Sequence, residues 1–76
     1  MTRAVRVSWE DITAHGGHVW QKVKHIKPKP TRVTTVGWLI YEDDEYIVLA
    51  QDLSKDKSAS GIATYPKGAV LSMENI

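Results

Sequence analysis

The sequence predicts an all-β domain, five short strands strongly bent into a small barrel, and three observations predict it. Val5, Val7 and Trp9 alternate with Arg6 and Ser8 at the period of two that marks a half-buried strand. Two runs rich in β-branched and aromatic residues, Arg32 to Tyr41 and Tyr46 to Ala50, flank the polar Glu42 to Glu45, which has the length of a hairpin loop. No long helix interrupts them. In a chain of 76 residues, bending the sheet buries the inward side chains best.

The elements follow in order. After the first strand, Asp11 is placed to cap a short helical turn, and Gly16-Gly17 admits backbone angles closed to other residues. Val19 to Lys24 reads either as one helical turn or as a short edge strand. Lys27-Pro28-Lys29-Pro30 ends it as an extended linker crossing an edge, because each proline extends its predecessor and supplies no donor. In the hairpin Val36, Trp38 and Ile40 share one face, read as inward with Trp38 in the core; Ile47 and Leu49 share a face of the partner strand. Gly37 marks a bend or bulge. Residues 51–60 are polar and patternless and read as a loop. A fourth strand at 61–65 and a fifth at 69–73 are joined by Pro66-Lys67-Gly68, which is long enough only for a 3-10 turn or a β-turn.

Composition bounds the function. Residues 1–76 are one domain, with ten Lys and Arg against nine Asp and Glu. No run approaches the roughly 18 apolar residues of a membrane span, and no apolar leader is visible, so the expected location is the cytoplasm. The absence of cysteine excludes disulfides, thiolate metal sites and a Cys nucleophile. A chain this short is marginal alone, which makes a homo-oligomer the expected state. Charge is unevenly spread: residues 1–38 hold seven basic side chains and two acidic ones, residues 39–76 three and seven. Such a split can create an anion-attracting face, or the halves can neutralise each other across the fold or between subunits.

Val33 to Met73 resembles the Sm-like fold of small RNA-associated barrels: a bent strand pair, an acidic turn, a variable loop, and closing strands joined at Tyr65-Pro66-Lys67-Gly68-Ala69-Val70. The bacterial Sm-like RNA chaperone has a similar Tyr-Lys connection there, although its histidine after the lysine is Gly68 here. A second pattern covers most of the chain: Val7-Ser8-Trp9-x-Asp11, His15-x-Gly17, Trp20, Val36-Gly37-Trp38-Leu39-Ile40, Glu42-Asp43, Ile47-Val48-Leu49-Ala50 and Pro66-Lys67-Gly68-Ala69-Val70. It is similar to small phage-encoded proteins of unassigned function with an Sm-like or SH3-like barrel. That resemblance implies an infected bacterial cytoplasm and a role against host defence, such as sequestering a nucleotide-like immune signal.

Three constellations bear on chemistry. His15-Gly16-Gly17-His18 supplies two imidazoles, but a metal site needs three or four ligands, and only Asp11 or His25 could close it; the histidines read as loop residues and no metal is expected. Ser8, His15 and Asp11 have the residue types of a triad, which is recognised by geometry alone, so the chain reads as non-enzymatic and free of cofactors. The acids Glu42 to Glu45 read as a solvated turn. The remaining constellation is basic and aromatic: Trp9, Trp20, Lys22, Lys24, Arg32, Tyr65 and Lys67. Ring faces can stack on a base while cations neutralise phosphate. Trp9 continues the inward alternation, whereas Trp20 lies outside it and suits either ligand contact or subunit packing.

The expected function is therefore capture of a nucleotide-like, phosphate-bearing ligand in a pocket partly made between subunits. Trp20, Tyr65 and His15 would stack or hydrogen-bond, and Arg32 and Lys67 would meet phosphate. The alternatives are a single-stranded RNA module of Sm-like type and a protein that inhibits a host factor by direct contact.

Overall fold

A computed structural model of the chain describes residues 2–15 and 17–76. Strands β1 (Arg3–Asp11), β2 (Thr31–Glu42), β3 (Tyr46–Leu53), β4 (Ala59–Pro66) and β5 (Val70–Asn75) form one antiparallel sheet in the order β4-β3-β2-β1-β5. Single 3-10 turns occupy Val23–His25 and Lys67–Ala69. No helix among the described residues is long and apolar enough to cross a membrane.

The interior follows from side-chain alternation. Val5 and Val7 of β1, Leu39 of β2, and Ile47 and Leu49 of β3 form the buried cluster, with Trp9, Tyr65, Val70 and Met73 packed around it. Register shifts between Leu39 and Tyr41 and between Ser8 and Trp9 add local twist. At Gly37 a Cβ would come within 3.0 Å of the Ala50 carbonyl oxygen, so the close passage of β2 over β3 favours glycine. The resulting curl brings the end of β4 to β1: the Trp9 and Tyr65 rings meet edge to face with centroids 5.1 Å apart. The Trp9 indole N–H donates to Thr35 Oγ1 at 2.9 Å, so its polar edge is satisfied where the ring is half-buried.

Several expectations are corrected here. The sheet is curled but not closed into a barrel: β4 and β5 are its two edges, and side chains rather than a ladder fill the gap between them. Trp38 is not core. The inward row of β2 is Val33, Thr35, Gly37 and Leu39, which puts Val36 and Trp38 on the outer face with 57% and 37% of their surface exposed. The alternation was one residue out of phase because the inward row carries a threonine and a glycine, while the apolar bulk lies outside. The bulge falls beyond Leu39 rather than at Gly37. Asp11 ends β1 instead of capping a helical turn, its Oδ1 accepting the Ile12 N–H at 2.8 Å. The loop expected over 51–60 shrinks to residues 54–58, since Asp52 pairs with Ser60 and Leu53 with Ala59.

The polar loop holds its shape by hydrogen bonds: Lys57 N–H donates to the Ser54 carbonyl and Ser58 N–H to Ser54 Oγ. Across the adjoining hairpin Gly61 has φ +63° and an added Cβ would lie 2.8 Å from Gln51 Cβ. Both left-handed backbone and steric contact oppose any side chain there. Gly61→Ala is expected to lower unfolding free energy by about 1–3 kcal/mol. Gly68→Ala, with nothing within 4 Å of the new methyl, should change it by less than about 0.5 kcal/mol. Urea denaturation of both variants measures the difference.

Candidate functional site

β1 and β2 stay in register to their ends, Asp11 opposite Thr31, so residues 12–30 leave and re-enter the sheet at one point. A link of two residues would suffice for such a hairpin. The 19 residues present instead form an arm. It contains Lys22, Lys24, Lys27, Lys29, His15, His18 and His25 and not one acid. The rest of the chain holds six basic and nine acidic residues, so an arm of +4 projects from a body of −3 with histidines neutral.

Local chemistry explains the arm's path. Thr13 and Thr31 share a hydroxyl hydrogen bond of 2.7 Å at its base. Gly17 turns the chain at φ +61°, and Gln21 Nε2 donates to the His15 carbonyl at 3.0 Å, closing a loop that carries Trp20. One 3-10 turn follows, its ends tied by His25 N–H to the Lys22 carbonyl (2.9 Å) and Ile26 N–H to the Val23 carbonyl (3.1 Å). Of the two readings of Val19 to Lys24 the strand does not form and a helical turn does, of 3-10 type and shifted to Val23–His25; no apolar period gives the segment a face to bury, and it extends no further. Lys27 to Pro30 is exposed and irregular, and Pro28, Lys29 and Pro30 run beside the end of β1.

The five predicted ligand residues do not converge. His15 and Trp20 line one shallow, open depression of about 300 Å³ with His18, Val19, Gln21 and Ile26. Trp20 is 98% exposed. Arg32 lies on β2 opposite Glu10. Tyr65 spends its ring on Trp9. Lys67 is paired with Glu42, its Nζ 3.0 Å from Oε2, and its backbone N–H donates to the Glu45 carbonyl at 2.7 Å. Arg3 reaches the other carboxylate oxygen of Glu42 at 4.0 Å. Tyr65 and Lys67 therefore tie the end of β4 to the β2–β3 turn and to β1. Val19 and Ile26, which line the depression, and the exposed Val23 were not singled out in the sequence. The available signal was a stretch of hydrophobic residues lacking both period and acid.

Among the described residues no side-chain hydrogen bond links Ser8, Asp11 and His15, Asp11 accepting instead from Ile12 N–H, and no three His, Asp or Glu side chains cluster as metal ligands. The acidic turn is built by Asp43: Oδ1 accepts the N–H groups of Glu45 and Tyr46 at 2.8 and 2.7 Å, and Oδ2 accepts the Tyr41 hydroxyl at 2.8 Å. The Tyr41 hydrogen bond, then the two backbone N–H groups, hold the Asp43 carboxyl below the usual carboxylate range. Ser54 and Ser58 do the same for Asp56 in the 54–58 loop. No protein-family model matches the chain, and no curated protein or solved structure matches it significantly.

Both depressed carboxyls favour the folded state above the unfolded pKa, and that contribution disappears as pH falls through the folded values. Stability should thus decline in the window below roughly pH 4. Asp43→Asn and Asp56→Asn are each expected to be less stable than the parent at pH 7 and to show a flatter acid limb. Thermal melts from pH 2 to 7 measure this; a parallel acid limb in both variants would contradict it.

Proposed function

We propose that the chain is a non-enzymatic binding protein for a phosphate-bearing nucleotide ligand, and that the ligand is an extended single strand rather than a free mono- or dinucleotide. The observation that carries the reading is the acid-free arm of residues 12–30, with its four lysines and a fully presented Trp20. A small nucleotide needs groups converging on one enclosed pocket. Arg32, Tyr65 and Lys67 are held elsewhere, and the depression at His15 and Trp20 is open. A polynucleotide needs only a cationic track for its backbone and an aromatic face for its bases. Trp20 would stack on a base, with His15 or His18 beside it, while Lys22, Lys24, Lys27 and Lys29 meet successive phosphates.

The curled five-stranded sheet and its 3-10 turn after β4 support kinship with Sm-like RNA-binding domains. The setting in an infected cell and the action against host defence belong to the same reading through the phage resemblance. The body's charge of −3 would keep a strand on the arm rather than on the sheet, since like charges repel it elsewhere.

Fluorescence anisotropy with labelled single-stranded RNA and DNA tests the proposal. Four phosphate contacts predict a slope of about −3 for log K against log salt concentration, against about −1.4 for a ligand with two phosphates. Trp20→Ala is expected to weaken binding about 5- to 150-fold, the worth of one stacked base. It should leave the fold intact, because the indole touches no core residue. Tight binding of a cyclic dinucleotide with no affinity for oligonucleotides would overturn the strand reading.

A further inference from the structure

The chain presents far more surface than its mass requires. Its accessible area is 6190 Å², whereas a compact monomer of 8.5 kDa exposes about 4,650 Å². Its radius of gyration is 16.0 Å and its longest dimension 53 Å; a compact chain of this length has a radius near 11 Å. The excess of about 1,500 Å² comfortably exceeds the roughly 800 Å² that each partner buries in a standard interface.

Two exposed apolar sets stand on this surface. One is on the arm: Val19, Val23 and Ile26 are exposed beside Lys22, Lys24 and Lys27. The other crosses the outer face of the sheet. Ala4, Trp38, Ala50 and Ile62 are successive cross-strand partners on β1, β2, β3 and β4; Ala50 is itself buried, and the open apolar surface of the row is Trp38 and Ile62 with Val36 beside Trp38 on β2. Ile62 is 57% exposed. Asp52 flanks this row two residues beyond Ala50 on β3. Apolar patches rimmed by charge are the usual form of a protein contact surface.

We infer that the outer apolar row is covered by the arm of a second copy of this chain, each arm lying on its partner's sheet in a two-fold dimer. Charge favours that occupant: the arm carries +4 and the body −3, Asp52 beside the row is open to the lysines flanking Val23, and Arg6, the cross-strand partner of Val36, is already paired with Glu74 at 2.7 Å. Symmetry doubles the contact, because both copies offer the same arm and the same face. The arrangement leaves the sheet edges unused and forms without nucleic acid; because Lys22 and Lys24 serve both contacts, an oligonucleotide and the partner's sheet compete for the arm.

Sedimentation equilibrium of nuclease-treated, nucleic-acid-free protein tests it. The parent is expected to sediment as a dimer, twice 8.5 kDa, at tens of micromolar, and to dissociate as salt rises. Val23→Asp on the arm and Ile62→Asp on the face should each weaken the dimer at least tenfold while keeping the parent's circular dichroism. An equimolar mixture of the two should regain association, because one copy's intact arm then meets the other's intact face. A parent monomeric at every concentration up to about 1 mM, or a dimer indifferent to both substitutions, would overturn the inference. Either result leaves the oligonucleotide titration unaffected, so the two readings fail separately.

Discussion

The buried cluster among the described residues is Val5, Val7, Leu39, Ile47 and Leu49, rimmed by Trp9, Tyr65, Val70 and Met73. With so few side chains available, only a curled sheet can surround them, and the curl depends on the places where the backbone departs from regular pleating. Gly37 lets β2 approach Ala50, the bulges beyond Leu39 and before Trp9 increase the twist, and Gly61 turns β4 where a side chain would strike Gln51. Without that curl Trp9 and Tyr65 would not meet, and the core would lose its aromatic lid. Each buried apolar side chain is worth about 1.5–3 kcal/mol, so a core of this size leaves no surplus with which to order a long loop.

That limit explains the arm. Residues 12–30 contain hydrophobic side chains enough to join a core, yet none of them belongs to the buried cluster, and Ile12, Val19, Trp20, Val23 and Ile26 are exposed. Local hydrogen bonds shape the arm instead: Gln21 to the His15 carbonyl, the 3-10 turn at Val23–His25, and the Thr13–Thr31 contact. The lysines that project from it have no acidic neighbour in sequence. The acids sit on the body, where Glu42 is matched to Lys67 and Arg3, Glu74 to Arg6, and Asp43 to backbone N–H groups of its own turn. The ion pairs thus lie on the body, and the cations of the acid-free arm stand apart from them.

Much of the sheet was legible in the sequence. The alternation of Val5, Val7 and Trp9, the β-branched runs around an acidic turn, and the Pro66-Lys67-Gly68 turn each became the element their pattern implied. What misled was phase: a row of Val36, Trp38 and Ile40 outweighs Val33, Thr35, Gly37 and Leu39 in apolar bulk, yet the smaller row faces inward. Only the pairing of Leu39 with Leu49 and the tight approach at Gly37 decide between them, and both are tertiary. The same holds for the site. Trp20 was visible as a residue outside any period and His15 as a loop histidine, whereas the ring contact of Tyr65 and the ion pair of Lys67 arise only once β4 curls back to β1 and β2.

Replacing residues 12–30 by Asn-Gly, which joins the paired ends Asp11 and Thr31 as a tight hairpin, separates sheet from arm most directly. The shortened chain is expected to unfold cooperatively, with its Trp9–Tyr65 packing retained in near-ultraviolet circular dichroism, and to bind no single-stranded oligonucleotide. A sheet that no longer folds without the arm, or a folded one that still binds as the parent does, would contradict the division of labour described here.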